Sequence, residues 1–444
     1  MRRGLFAHTT AYWKWLYPGL QIKRWIAFLI LGVAMLSIGL ATLFDLVSHR
    51  CVVQFFNKWT VTGASGVLMA ALWMLAGTGT TAAAIVQLSR SLLAAFVQPN
   101  QPRVVDMVYE HRRRHGGPKV VALGGGNGLA TLLRGLKAYT DNITAIVTVA
   151  DDGGSSGRLR QELNLPPPGD FRNCIAALAD DEALITRLLQ YRFGSGQGLN
   201  GHSFGNLFLA ALAAVTGGFD QALAESSRVL AIRGRVLPAT LKTLVLGAEV
   251  REEGPGGEPR WQRVHGESLI PTIARGRVIE RVFLQPENPP AYPEAVRAIL
   301  EADLIVAGPG SLFTSVLPNL LVPDIAAAVR AAPGVKVYIC NVATQRGETD
   351  GFGVQEHMRA LQAHVGDDVF SLVLANDAFP TPQPPGDGVR WVTPPSPEVA
   401  RQSGYRVITD DLVDRDQPWR HAPDKLARRL LALYEQEVSQ RGQE

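Results

Sequence analysis

The 444-residue chain has little cysteine. Cys51, Cys174 and Cys340 are far apart, a pattern that offers neither a disulfide framework nor a zinc site and suits a reducing compartment. Cys174 lies in an apolar helical segment and Cys340 ends an apolar strand, so both read as buried structural residues. A P-loop lysine motif, a nucleophile elbow and an internal repeat are also missing. Acidic residues are scarce at the start: residues 1–119 hold 13 Lys and Arg against 3 Asp and Glu, a net of +10. The whole chain is +4, which leaves −6 for the remainder. The basic excess flanks uncharged runs, where topology and anionic lipid explain it, so no nucleic-acid partner is expected.

Those runs are Trp25–Phe44 and Gly63–Ser89. Each is long enough as a helix to cross a hydrocarbon layer of about 30 Å. They predict an N-terminal membrane anchor over 1–97, with transmembrane helices at about 25–47 and 64–88. Gly32, Ala34 and Gly39 against Gly77, Gly79 and Ala83 offer close helix approach. Tyr12, Trp13, Trp15 and Tyr17 suit an interfacial belt. Arg2, Arg3, Lys14, Lys23 and Arg24 precede the first span, Arg50 and Lys58 lie between, and Arg90, Arg103, Arg112, Arg113, Arg114 and Lys119 follow. This asymmetry places both termini on the cytoplasmic side of the cell (inner) membrane. A cleaved signal peptide fits less well, because the lead is long and no small-residue cleavage pattern follows. A buried hairpin in a soluble fold is the other alternative.

A basic linker, 98–118, leads to Lys119–Arg160, around which the rest is organised. Val120–Leu123 is an apolar run that stops at Gly124, Gly125, Gly126, Asn127 and Gly128. Apolar residues at helical spacing follow at Leu129, Leu132, Leu133 and Leu136, and a second run covers Ile143–Ala150. This is a βαβ unit. Glycines let the backbone turn and let its N–H groups approach an anion, while the helix adds its positive end. The match to a dinucleotide fingerprint is imperfect, since Leu129 stands at the third glycine position. Asp151 falls 25 residues after Gly126, near where such folds place an acid on a ribose hydroxyl. Residues 119–444 therefore read as a doubly wound, Rossmann-like α/β domain.

Farther along, Pro166–Gly169 is a rigid turn, and Asp170 is expected to cap the helix that holds Cys174. Arg172 and Asn173 would face a diphosphate or a sugar, or else pair locally. Gly194–Gly205 is a polar loop with His202, leading to Asn206, whose amide can donate and accept. Alternating runs between about 240 and 285 predict an antiparallel β lobe. The parallel pattern resumes at Asp303–Ala307 and enters Gly308, Pro309, Gly310 and Ser311, with Thr314 and Ser315 beyond, a second candidate phosphate loop. Val335–Cys340 is another buried strand, Arg346 in the loop after it is a candidate phosphate contact, Phe370–Ala375 reads as the last core strand, and Lys425–Val438 as an amphipathic helix.

The segments Gly124–Arg160, Pro166–Leu178, Gly201–Leu212, Gly308–Leu321 and Asn341–Phe352, in this order, resemble the YvcK-like gluconeogenesis-factor branch of the CofD-like superfamily. The resemblance spans about 119–421. It implies binding of a UDP-sugar, with control of carbon flow and cell shape, at Gly124–Gly128, Asp151, Asp152, Ser155, Ser156, Arg172, Asn173, Asn206, Gly308, Gly310, Ser311, Thr314 and Arg346. An alternative it implies is 2-phospho-lactate transfer from a nucleotide diphosphate adduct, in which Asp151 or Asp152 would hold a divalent metal such as Mg. An NAD-binding oxidoreductase is the weakest reading, since hydride-transfer residues are missing. Expected partners are a nucleotide-diphosphate small molecule, the membrane, a second copy of the chain and a protein of envelope synthesis.

Overall fold

A computed structural model describes residues 22–48, 64–93 and 114–442, except 181, 197, 254–257, 382–385, 387 and 403. The aromatic belt, most of the linker and the basic residues at 2, 3, 14, 50, 58, 103, 112 and 113 lie outside them. The chain divides into two compact units, residues 1–110 and 111–444.

In the first unit, helices Ile22–Ser48 and Ala64–Leu93 pair antiparallel. Both are long and apolar enough to cross a membrane, with mean hydropathy of 2.5 and 1.5 over their spans. They pack through small residues. A Cβ at Gly32 would fall 2.8 Å from the Thr81 nitrogen, one at Gly77 2.7 Å from the Leu36 nitrogen, and one at Gly39 3.0 Å from the Met74 nitrogen. Three of the expected contact residues do not serve: Gly79 has nothing within 4 Å, and Ala34 and Ala83 face outward. Ala70 and Ala84 take the buried positions instead, because the repeat along this antiparallel seam is set by Gly77.

The second unit is built on a seven-stranded parallel sheet of order β10-β9-β8-β7-β1-β2-β3. Its strands are β1 (Val120–Gly124), β2 (Ile143–Val147), β3 (Arg235–Pro238), β7 (Leu304–Ala307), β8 (Val335–Ile339), β9 (Leu372–Asn376) and β10 (Arg406–Asp410). β1, β2, β7 and β9 are buried along their whole length, as expected of strands covered by helices on both faces. Helices including Gly126–Leu136, Gly169–Leu178 and Pro423–Arg441 provide that cover. The antiparallel lobe consists of β4 (Val245–Glu253), β5 (Pro259–His265) and β6 (Val278–Gln285), in order β5-β4-β6.

Two strands are additions to the sequence reading. β3 is four residues long, too short for a periodicity to register, and β10 follows the strand expected to be last. The chain enters this unit at the amino edge of the sheet. There the Asn142 amide donates to the carbonyls of His115 and Gly117, at 2.9 and 2.8 Å.

Candidate functional site

From β1 the chain moves outward to β2 and β3, then returns on the other side of β1 and moves outward through β7, β8, β9 and β10. The loops after β1 and β7 therefore part in opposite directions and leave a crevice outside the carboxyl ends of the strands, where open α/β sheets bind ligands. The crevice holds a cleft of 530 Å³ lined by Gly125, Gly126, Asn127 and Gly128, by Gly310 and Ser311, and by Arg346. All of these are residues singled out by sequence.

Each glycine has its own reason. Gly126 has φ of +61°, and a Cβ at Gly128 would fall 2.5 Å from the Pro309 oxygen, so the approach of the two segments leaves no room for a side chain there. Gly308 has φ of +82°, and a Cβ there would fall 2.8 Å from the Ile339 oxygen. Beneath Gly125 lies the carboxyl of Asp170, which accepts the Gly126 N–H. Asp170 is not the expected cap. The helix starts at Gly169 behind Pro168, without a side-chain cap, so Asp170 falls inside the first turn and points under the glycine loop. Burial, then the charge of Asp151, pushes it up to about 7, against the Gly126 bond and Arg172.

The floor is fixed by side-chain amides. Asn341 accepts from the Gly310 nitrogen at 3.1 Å and donates to its oxygen at 2.9 Å, and Gln345 donates to the Ser311 hydroxyl at 2.7 Å. Asn319 ties the loops together by donating to Gly124 O at 3.0 Å and Ser315 O at 2.8 Å. A π-helical turn, Leu312–Val316, follows the second loop. Its amino end is occupied from within: Glu348 accepts from the Thr314 hydroxyl at 3.2 Å and from the Phe313 and Thr314 backbone. Thr314 thus faces Glu348, as does the Ser311 hydroxyl, and Ser311 and Ser315 also line the cleft. Burial pushes Glu348 up to about 7, opposed by these bonds.

The remaining sequence-selected residues form a second, adjoining network outside the cleft lining. Arg172 donates to Ser203 Oγ at 2.7 Å, to Asn206 Oδ1 at 3.2 Å and to Asn173 Oδ1 at 3.1 Å. Asn206 is buried, and its amide donates to Ser155 Oγ at 3.1 Å and Ser156 Oγ at 3.4 Å. Ser155 also meets His202 Nδ1 at 3.0 Å, and burial holds His202 below its ordinary value. Asp151 accepts from Gly153 N at 2.9 Å, and burial raises its proton affinity. Asp152 accepts from Ser268 N at 2.9 Å, which fastens the β lobe to the core. Among the described residues no group of three His, Cys, Asp or Glu side chains is arranged to hold a metal ion.

Several residues here were not singled out from the sequence. Glu267, on the turn after β5, is raised to about 8 by burial and by the charges of Asp151, Asp170, Glu348 and Asp152. Val389, Trp419, Arg420 and His421 close the cleft from the C-terminal part of the chain. An aromatic and basic run in a polar turn was the available sign of the last three; Glu267 had none.

The family model for 2-phospho-L-lactate transferase CofD matches residues 120–413. A putative gluconeogenesis factor of Nostoc sp. is 44% identical, covering 97% of this chain and 95% of its own. The gluconeogenesis factor of Bacillus subtilis is 54% identical, covering 58% of this chain and 78% of its own. A crystal structure of a Bacillus halodurans protein superposes with a TM-score of 0.65 at 44% identity, over 71% of this chain and 99% of that one. With its sheet order, its switch-point crevice and these relatives, the chain belongs to the CofD family, alongside the gluconeogenesis factors.

Proposed function

We propose that this protein is a membrane-anchored regulatory factor that binds a nucleotide sugar, a UDP-sugar, and links gluconeogenic carbon metabolism to envelope growth and cell shape. The observation that carries this reading is the switch-point cleft, where the glycines of two strand-ending loops, Ser311 and Arg346 surround one volume. Backbone N–H groups and an arginine suit a diphosphate. The gluconeogenesis-factor relatives support the metabolic role. The two long apolar helices support the anchor, with the nucleotide-binding domain in the cytoplasm.

The test is calorimetric titration of the full-length protein in detergent with UDP-sugars. Wild type should bind saturably, and Arg346→Ala should bind about tenfold or more weakly, the scale of a lost charged hydrogen bond. Absence of heat for wild type would sink the nucleotide-sugar reading. If a carbonate wash released the protein from membranes, the anchor would fall with it.

A second reading, transfer of a phosphorus-containing group as in the CofD enzymes, is favoured by the carboxyls of Asp170, Glu267 and Glu348. Their proton affinities lie near neutrality, where general acids work best. Product formed only when a nucleotide diphosphate adduct, a deazaflavin acceptor and a divalent metal are all present would favour it over the regulator.

A further inference from the structure

Among the described residues that line the cleft, only Trp419 and His421 are aromatic, and His421 is buried. Trp419 is 40% exposed. No hydrogen bond, ring stack or cation contact among the described residues engages its indole. The backbone that carries it is held firmly. Asp414 N donates to Arg420 O at 2.9 Å, and Arg420 N to Gln417 O at 2.8 Å. Asp414 Oδ1 accepts from Asp416 N at 2.8 Å, and the turn is closed by a Val413–His421 bridge and by Ala422 N donating to Leu412 O at 2.8 Å. A turn fixed on both sides by its own backbone does not need an indole at its tip. A large flat ring presented to a cleft by a rigid support is arranged for stacking.

The rest of the lining sorts by chemistry. The two glycine loops offer backbone, and Arg346 and Arg420 offer charge. Asn341 and Gln345, the amides that could read a ligand's edge, are committed to Gly310, Ser311 and each other. The wall formed by Trp419 is therefore the one suited to the face of an aromatic ring.

We propose that Trp419 is the platform on which the nucleobase stacks, with the diphosphate directed toward the glycine loops. This rests on the nucleotide-binding reading above and adds the residue that recognises the base. Stacking on an aromatic side chain tolerates any base and needs only its π face.

The test uses full-length protein in detergent, titrated calorimetrically with UDP and, separately, with pyrophosphate. Trp419→Ala should weaken UDP by about fivefold to a hundredfold, the range for one base stacked on an aromatic side chain. Trp419→Phe should keep most of the affinity, and all three proteins should bind pyrophosphate alike. Unchanged UDP binding by Trp419→Ala would overturn the platform while leaving the nucleotide reading intact. Loss of UDP and pyrophosphate together would assign Trp419 to the packing of its turn, which also overturns the proposal. Wild type that binds neither compound would remove the parent reading and this one with it.

Discussion

Gly77 in the second N-terminal helix and Gly128 in the first turn of the helix after β1 both stand hard against a neighbouring backbone. A Cβ would fall 2.7 Å from the Leu36 nitrogen in one and 2.5 Å from the Pro309 oxygen in the other. The consequences differ. For helices that cross a membrane, little hydrophobic force favours association, and close backbone approach supplies the dispersion contacts that do. In the α/β domain the core already holds the strands together, and the glycine serves a narrower purpose. It allows two loops that diverge at the switch point to share one cleft. The same absence of a side chain contributes to stability in the first unit and to shape in the second.

That contrast can be broken experimentally, with the largest effect at Gly128. Gly128→Val should force the loops apart. We expect a stability loss of about 1–3 kcal/mol from overpacking, measured by chemical denaturation, and nucleotide binding below detection by calorimetry. A variant that still bound normally would show that loop contact does not shape the cleft.

Next in size is a pH effect at the base of the β lobe. Glu267 holds its proton more tightly when folded, between its ordinary 4.5 and about 8. In that window the native state carries the extra proton, so stability should be greatest at the low end and fall as pH rises through the folded value. The slope is at most about 1.4 kcal/mol per pH unit. Glu267→Gln should flatten this part of the profile, read from denaturation midpoints at several pH values; an unchanged slope would mean that the charge cluster relaxes.

Gly77→Leu should loosen the helix pair, by about 1 kcal/mol. Spin labels on the two helices would report a wider separation, with nucleotide affinity unchanged. The smallest effect belongs to Gly79→Ala. With nothing within 4 Å of that position, the change should raise stability by under about 1 kcal/mol, the helix propensity of alanine over glycine, and a loss would mean that Gly79 sits in the helix contact after all.

Local pattern and distant assembly account for what the sequence revealed. The β1 strand, its glycine loop, the loop after β7 and the antiparallel lobe were legible because each is a contiguous run with its own turn chemistry. The role of Asp170 was not, since the cap position and the position beneath Gly125 differ only in where the helix begins. Asn206 lies in the network that adjoins the cleft, where its amide is occupied by Ser155, Ser156 and Arg172, a role in positioning a loop that its segment alone did not disclose. Glu267 and Trp419 come from segments far along the chain, and only the fold brings them to the crevice.

Asn142, holding the carbonyls of His115 and Gly117, fixes where the N-terminal part of the chain joins the sheet. The join is at the amino edge, and the cleft opens outside the carboxyl edge. A change at Asn142 can therefore loosen the segment before β1 at one end of the strands without touching the residues that shape the cleft at the other.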